Sequence, residues 1–319
     1  MPDPTTAASQ QVPLWAWIAF GAAVLGLLVI DLALHRGDRQ QSRAAAIAWT
    51  VGWVGAGLLF SLVVLGALGS ARAGEYVAAY LIEKALSIDN LFVFMVVFRT
   101  LEIPRERQRT VLSWGIFGAL AFRLVFILVG IAALEHFHWV VYIFGALLLW
   151  GAVRMTRGDA TATSGQGAAR WLERRLPVTR KLHGDAFFAR EHGRRVATPL
   201  LVALCAVELT DIVFAFDSVP AAMAISHSRF IVYSSNALAI LGLRSLYVLL
   251  VGIIGQLRYL HHGLAAVLAF AAFKLFTSGW IEIPALVAIG VVVVCIGASV
   301  WPSVVAMRRE ARAARRGLL

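Results

Sequence analysis

The fold this chain predicts is an all-α, polytopic membrane helix bundle of about nine transmembrane helices, and three observations predict it. The residues are 60% hydrophobic and only 15% charged, with a mean hydropathy of +0.78. Apolar runs of about 18 residues or more, enough to cross the hydrocarbon core as helices, recur along the whole chain. Lys and Arg gather in alternate loops. The residue-by-residue alternation of a transmembrane barrel is absent.

In chain order the spans are roughly 14–34, 47–68, 75–98, 111–133, 138–155, 198–222, 230–254, 261–280 and 283–302. Residues 1–13 contain no Lys or Arg, so they lack the basic region of a cleavable signal peptide and the first span is expected to be retained. Of the 29 basic residues, 23 lie in alternate loops and the tail, from Arg36, Arg39 and Arg43 to the Arg308–Arg316 cluster; the opposite loops hold Arg72 and Arg229. This positive-inside bias expects an external N-terminus (1–13), a transmembrane domain (14–302) and a basic cytoplasmic tail (303–319) resting on anionic lipid. The net charge of +11 is thereby accounted for without nucleic acid. The long polar segment of about 156–197 is expected to be a cytoplasmic loop with a short surface helix around Trp171-Leu-Glu-Arg-Arg-Leu. Cys205 and Cys295 sit in separate spans and suggest no disulfide.

Two acid-bearing stretches interrupt this apolar background: Glu83-Lys84-Ala-Leu-Ser-Ile-Asp89-Asn90 and Asp211-Ile-Val-Phe-Ala-Phe-Asp217-Ser218. A charge at the centre of a bilayer helix costs on the order of 3 kcal/mol or more, so such residues usually mark a pathway. Aligning Glu83 with Asp211 brings Asp89 onto Asp217 and Asn90 onto Ser218. Arg123 in the next span then matches Arg244, and Arg154 matches Lys274. Two three-helix repeats follow, about 75–155 and 198–280, and an odd number of spans between their starts makes them inverted. Inverted repeats mark secondary transporters, with the binding site at the repeat interface near the midplane.

Residues 83 and 90, like 211 and 218, are seven apart and share a helical face; Glu208 extends the second face by one turn. Asp89 and Asp217 lie about 120° round an ideal helix, so converging all five acids requires a break, for which Pro220 is the candidate in the second repeat. Carboxylates, an amide oxygen and a hydroxyl are hard donors suited to Mg, Ca or Mn. All eight histidines fall in loops or at span ends, so zinc or copper is not indicated. The plainer alternative for any one acid is a structural ion pair with Arg123 or Arg244. Asp31 reads as an interfacial residue or an exit guard, and Lys84 as a snorkelling or locally paired side chain. No prosthetic group is indicated. No glycine precedes any of the three lysines, so a phosphate-binding loop is missing. Moving a divalent cation outward against roughly 100 mV costs about 4.6 kcal/mol, so export would need exchange against protons or sodium, or a concentration gradient.

At Glu83-Lys-Ala-Leu-Ser-Ile-Asp-Asn-Leu-Phe-Val-Phe94 and Glu208-Leu-Thr-Asp-Ile-Val-Phe-Ala-Phe-Asp-Ser-Val-Pro-Ala221 the sequence closely resembles the TerC/Alx family of bacterial inner-membrane proteins. The resemblance runs from Trp17 and Asp31 through the last span. It implies a multi-pass inner-membrane protein of tellurium resistance or manganese homeostasis, with Mn(II) as an exported substrate. It also carries the family's acids onto Glu83, Asp89, Glu208, Asp211 and Asp217, with Asn90 and Ser218 beside them. One departure is Ala272-Phe273-Lys274, where relatives often have Gly-Val-Lys. The competing class is a non-transporting membrane scaffold in a metal or tellurite stress-resistance complex; a membrane enzyme is the weakest reading and is not expected, as no nucleophile–base pair or metal-ligating His cluster is visible. The oligomeric state is open.

Overall fold

A computed structural model describes residues 12–34, 43–137, 139–156, 160–179, 181–191, 193–251, 259–281 and 283–315; for 32–34, 43, 89, 160–164 and 306–315 it describes the backbone alone. Residues 1–11, Arg36, Arg39, Arg258 and the side chains of the basic tail therefore lie outside the described residues.

The elements are α1 (Leu14–Leu34), α2 (Arg43–Thr100), α3 (Arg105–His136), α4 (Val140–Thr156), α5 (Ala160–Arg175), β1 (Phe188–Glu191), β2 (Arg194–Ala197), α6 (Pro199–Ile225), α7 (Arg229–Ile240), α8 (Leu243–Leu250), α9 (Leu260–Thr277) and α10 (Ala285–Arg315). The chain is a helical, polytopic membrane bundle, as its composition predicts. Six described helices are long and apolar enough to cross a membrane, and the α7–α8 pair, bent by 44°, makes a seventh. The expectation of about nine divides the chain more finely. It splits α2 in two and includes α4, which at 17 residues is shorter than a usual span.

α2 is not one rod. Gly69 has φ 85 and ψ 173, a conformation that only glycine adopts without strain. The chain doubles back there. The Tyr76 hydroxyl donates to the Gly57 carbonyl at 2.8 Å and that of Tyr80 to the Val54 carbonyl at 3.5 Å, so the two arms pack antiparallel. Gly57 makes the approach possible, because a methyl group there would overlap the Tyr80 ring.

The helices of the first repeat range pack chiefly on those of the second. α4 lies against α9, α2 against both α6 and α7, and α3 against α6, while the α3–α4 and α6–α7 contacts are slight. This crossed arrangement brings α2, α3, α6 and α7 around one polar centre.

The polar segment between α4 and α6 carries the expected surface helix as α5, plus a two-stranded antiparallel hairpin, β1–β2, that hydrophobic patterning did not suggest. Its attachment to the bundle is specific. Gly165 of α5 sits close against Val93 and Val97 of α2, and Asp185 accepts bonds from Arg107 at 2.6 Å and Thr110 at 3.1 Å.

Candidate functional site

The first acid stretch lies on the second arm of α2 and the second on α6. As the seven-residue spacing predicts, Glu83 and Asn90 are both buried on one face, and so are Asp211 and Ser218. Both faces turn toward Arg123 of α3, which is itself only 1% exposed. The Arg123 guanidinium is ion-paired to Glu83, and its Nη2 donates to Asp211 Oδ1 at 3.3 Å, its Nε to Asp211 Oδ2 at 3.5 Å. Asn90 Nδ2 donates to Asp211 Oδ1 at 3.2 Å. Asn236 of α7 completes the set: its Nδ2 donates to Glu83 Oε2 at 2.9 Å and its Oδ1 accepts from Arg123 Nη1 at 2.6 Å. Two carboxylates, one from each half, thus share one guanidinium with two amides, and the five side chains carry one net negative charge.

Sequence reasoning foresaw Arg123 as a possible ion-pair partner but not Asn236. Its signal is a lone amide in a helix (Arg229–Ile240) that is apolar or hydroxyl-bearing after its first residue.

The other acids are placed differently. Glu208, one turn before Asp211, lies against Gly118 and Gly115 of α3, where a methyl on Gly118 would overlap its carboxylate. Its Oε2 is buried, and no described atom bonds to it. Asp217 is half-buried with its side chain beside Gly151 of α4. The Asp89 side chain lies outside the described residues. Among the described residues no three His, Cys, Asp or Glu side chains gather as a metal cage. The unwinding expected at Pro220 is not seen, since α6 stays helical from Pro199 to Ile225. The break comes instead between α7 and α8, where Gly242 has φ 80 and its missing side chain admits Trp53.

That break explains Lys84, which neither snorkels nor pairs locally. Its ammonium reaches across to donate to the Ala239 carbonyl at 2.9 Å and the Leu241 carbonyl at 3.3 Å, the last turn of α7. Helix ends leave carbonyls without intrahelical partners and with partial negative charge, so a cation there is stabilising.

Arg244, just past the bend, is paired with Asp31 of α1 at 2.9 Å; it also donates to the Asp31 carbonyl at 2.7 Å and to Ser113 at 3.3 Å. Asp31 is therefore buried against Arg244. Beside this pair lies a small cavity of about 20 Å3, room for one water, lined by Leu112, Gly115, Ile116, Ala119, Asp211 and Arg244 among others. At the other end of the bundle, Glu75 accepts from Arg72 at 2.9 Å and from Ser226, and Arg229 pairs with Glu135 at 2.5 Å. Lys274, in the last turn of α9, is near enough to feel Glu75. His227, in the turn after α6, is held below the usual histidine range by burial, with Lys274 and Arg72 acting in the same direction against Glu75 and Glu135.

Comparison with known proteins fits this geometry. The model of the integral membrane protein TerC family matches residues 68–311, which include both acid stretches and every helix around Arg123. The chain belongs to the TerC family. The match starts beside Gly69, so the site-bearing arm of α2 falls within it and the first arm does not. Among similar proteins, the membrane protein STKORF319 of Myxococcus xanthus is 40% identical over 295 residues, 92% of each chain. A protein of Escherichia coli strain K12 is 37% identical over 288 residues, covering 86% of this chain and 90% of its own; it is named Alx and described as a proposed membrane-bound redox modulator. A membrane protein of Rickettsia bellii is 34% identical over 293 residues, 91% and 97% of the two chains. No solved structure matches.

Proposed function

We propose that this TerC-family protein is a secondary transporter of the bacterial inner membrane. Its substrate is a hard divalent cation, Mn(II), moved outward through the carboxylate centre between its two halves, with protons moving inward. The observation that carries this reading is the pairing of Glu83 and Asp211. A carboxylate from each half, both buried and both directed at one charge, is what a carrier of cations needs if the halves move relative to each other around a shared site. Asn90 and Ser218 add hard oxygen donors on the same faces. The crossed packing of α2 and α3 on α6 and α7 suits two inverted repeats. The N-terminus is outside and the C-terminus cytoplasmic.

A second reading has its own support. Arg123 neutralises much of the centre, as a purely structural ion pair would, which suits a membrane scaffold in a stress-resistance complex. For the redox role in the relative's name, the thiols available are Cys205 on α6 and Cys295 on α10, both unbridged.

Flux decides between them. The purified full chain is reconstituted in liposomes, and Mn(II), Ca(II) and Mg(II) entry is followed together with internal pH. Mn(II) flux coupled to proton movement, lost in Asp217→Asn and Glu83→Gln, is the expected result. A protein that moves none of the three cations under any imposed gradient is not a carrier of them.

A further inference from the structure

We infer that Arg123 is a mobile counter-ion: its guanidinium and the transported cation exclude one another at Glu83 and Asp211, and Glu208 is the carboxylate that receives it. The inference rests on the transport reading above.

Three features converge on it. The first is charge. A divalent cation held by Glu83 and Asp211 would sit within bonding distance of a guanidinium that already touches both, in a site of low dielectric where like charges repel strongly. One of the two has to leave. The second is direction. Residues 112, 116, 119 and 123 share a face of α3, and helical side chains lean toward the N-terminus, so the Arg123 side chain leans toward the turn that lines the small cavity of about 20 Å3. Asp211 lines the same cavity, so the guanidinium keeps one of its acids within reach as it withdraws. The third is a destination. Glu208 stands one turn from Asp211 on α6, packed on Gly118 and Gly115, with a buried carboxylate oxygen that no described atom bonds. A buried oxygen left without a donor is costly, and a guanidinium is its natural partner.

Asn90 and Asn236 fit the same scheme. An amide can donate to a carboxylate or turn its oxygen to a cation, so neither needs to leave when the positive charge changes from arginine to metal.

The test is equilibrium Mn(II) binding to the solubilised full chain, read from the paramagnetic resonance signal of free Mn(II). Arg123→Gln removes the competitor, and binding is expected to be about tenfold tighter, while liposome flux falls because the ion no longer leaves easily. Arg123→Lys keeps the charge but cannot bridge two carboxylates, and about threefold tighter binding is expected. Should Arg123→Gln fail to fold, Arg123→Lys carries the test alone. Glu208→Gln is expected to weaken binding about threefold in the parent and to change it less than about twofold when Arg123 is already replaced, because its effect runs through the arginine.

Parent binding with equal or weaker affinity in both Arg123 variants would overturn the inference and leave the transport reading standing; Arg123 would then be a fixed structural ion. A Glu208→Gln effect that persists in full without Arg123 would make Glu208 a direct ligand and remove the proposed destination. A parent that binds none of Mn(II), Ca(II) and Mg(II) would overturn the transport reading and this inference together.

Discussion

The carboxylate of Glu208 occupies the space that a side chain on Gly118 would need, so an acid of one half and a glycine of the other are shaped for each other. Gly→Ala inside a helix normally gains roughly 0.5–1 kcal/mol. Here the methyl would force a buried carboxylate aside, and overpacking of that kind costs about 1–3 kcal/mol. Gly118→Ala is expected to lower the melting temperature in detergent, whereas Gly115→Ala, whose methyl would meet Val207 at 3.4 Å, is expected to be neutral or mildly stabilising. Two variants melting alike would mean that Glu208 does not depend on this gap.

The Asp31–Arg244 pair ties α1 to the core. Both side chains are only 6% exposed. Removing one partner of a buried pair typically costs about 3–5 kcal/mol, whereas replacing both by apolar residues is often neutral. Arg244→Met is therefore expected to destabilise strongly, and Asp31→Leu with Arg244→Met to recover most of that loss. Chemical denaturation of the three forms in one detergent measures the difference; a double variant no better than the single would rule out a mainly electrostatic role.

Lys84→Met should act locally. It leaves the Ala239 and Leu241 carbonyls without their ammonium at the α7–α8 bend, a loss of about 1–3 kcal/mol for buried acceptors. Amide hydrogen exchange is expected to speed up over residues 239–246 and to stay unchanged in α9. Uniform acceleration across the bundle would point to a global effect instead.

His227 gives the fold a pH dependence of definite sign. Burial places its folded-state value below that of a free imidazole, about 6.5, so protonation favours the unfolded chain. Its contribution is complete above that value and is lost as pH falls below it. Between pH 7.5 and 5.5 the melting temperature of His227→Gln should fall less than that of the parent. Parallel pH profiles would show that His227 takes up no proton cost on folding.

Orientation is tested by fusion. A reporter active only outside the cytoplasm should be silent after Leu319 and active when placed near Ser226. The opposite pattern would overturn the orientation read from the Lys and Arg distribution.

Much of this site could be read before any coordinates. The seven-residue spacing puts Glu83 with Asn90 and Asp211 with Ser218 on buried faces, because helical periodicity depends on local geometry alone. Arg123 stood out for the same reason, as a charge inside an apolar run. What escaped were contacts between helices distant in sequence. Lys84 looks like a snorkelling residue until the end of α7 arrives beside it, and Asn236 is one amide among hydroxyls until Glu83 faces it. Pro220 is the stronger helix breaker by composition, but the bend falls at Gly242. There Trp53 of another helix selects the residue without a side chain, a preference invisible to patterning. The β1–β2 hairpin is short and polar, so no hydrophobic alternation announces it.

The crossed packing of the halves also governs how the protein is made. Glu83, Asn90 and Arg123 enter the bilayer well before Asp211, which lies 88 residues after Arg123. At roughly 5–20 residues per second that is a delay of about 4–18 s. During it, the newborn first half has an acid, an amide and a guanidinium in the lipid with its later partners still unsynthesised. Arg123 with Glu83 is a neutral couple, so these two charges can wait paired, whereas Lys84 waits for the Ala239 and Leu241 carbonyls that arrive only with the second half. A ribosome stalled inside α6 would leave that intermediate in the membrane, stable enough to persist and unable to finish its bundle.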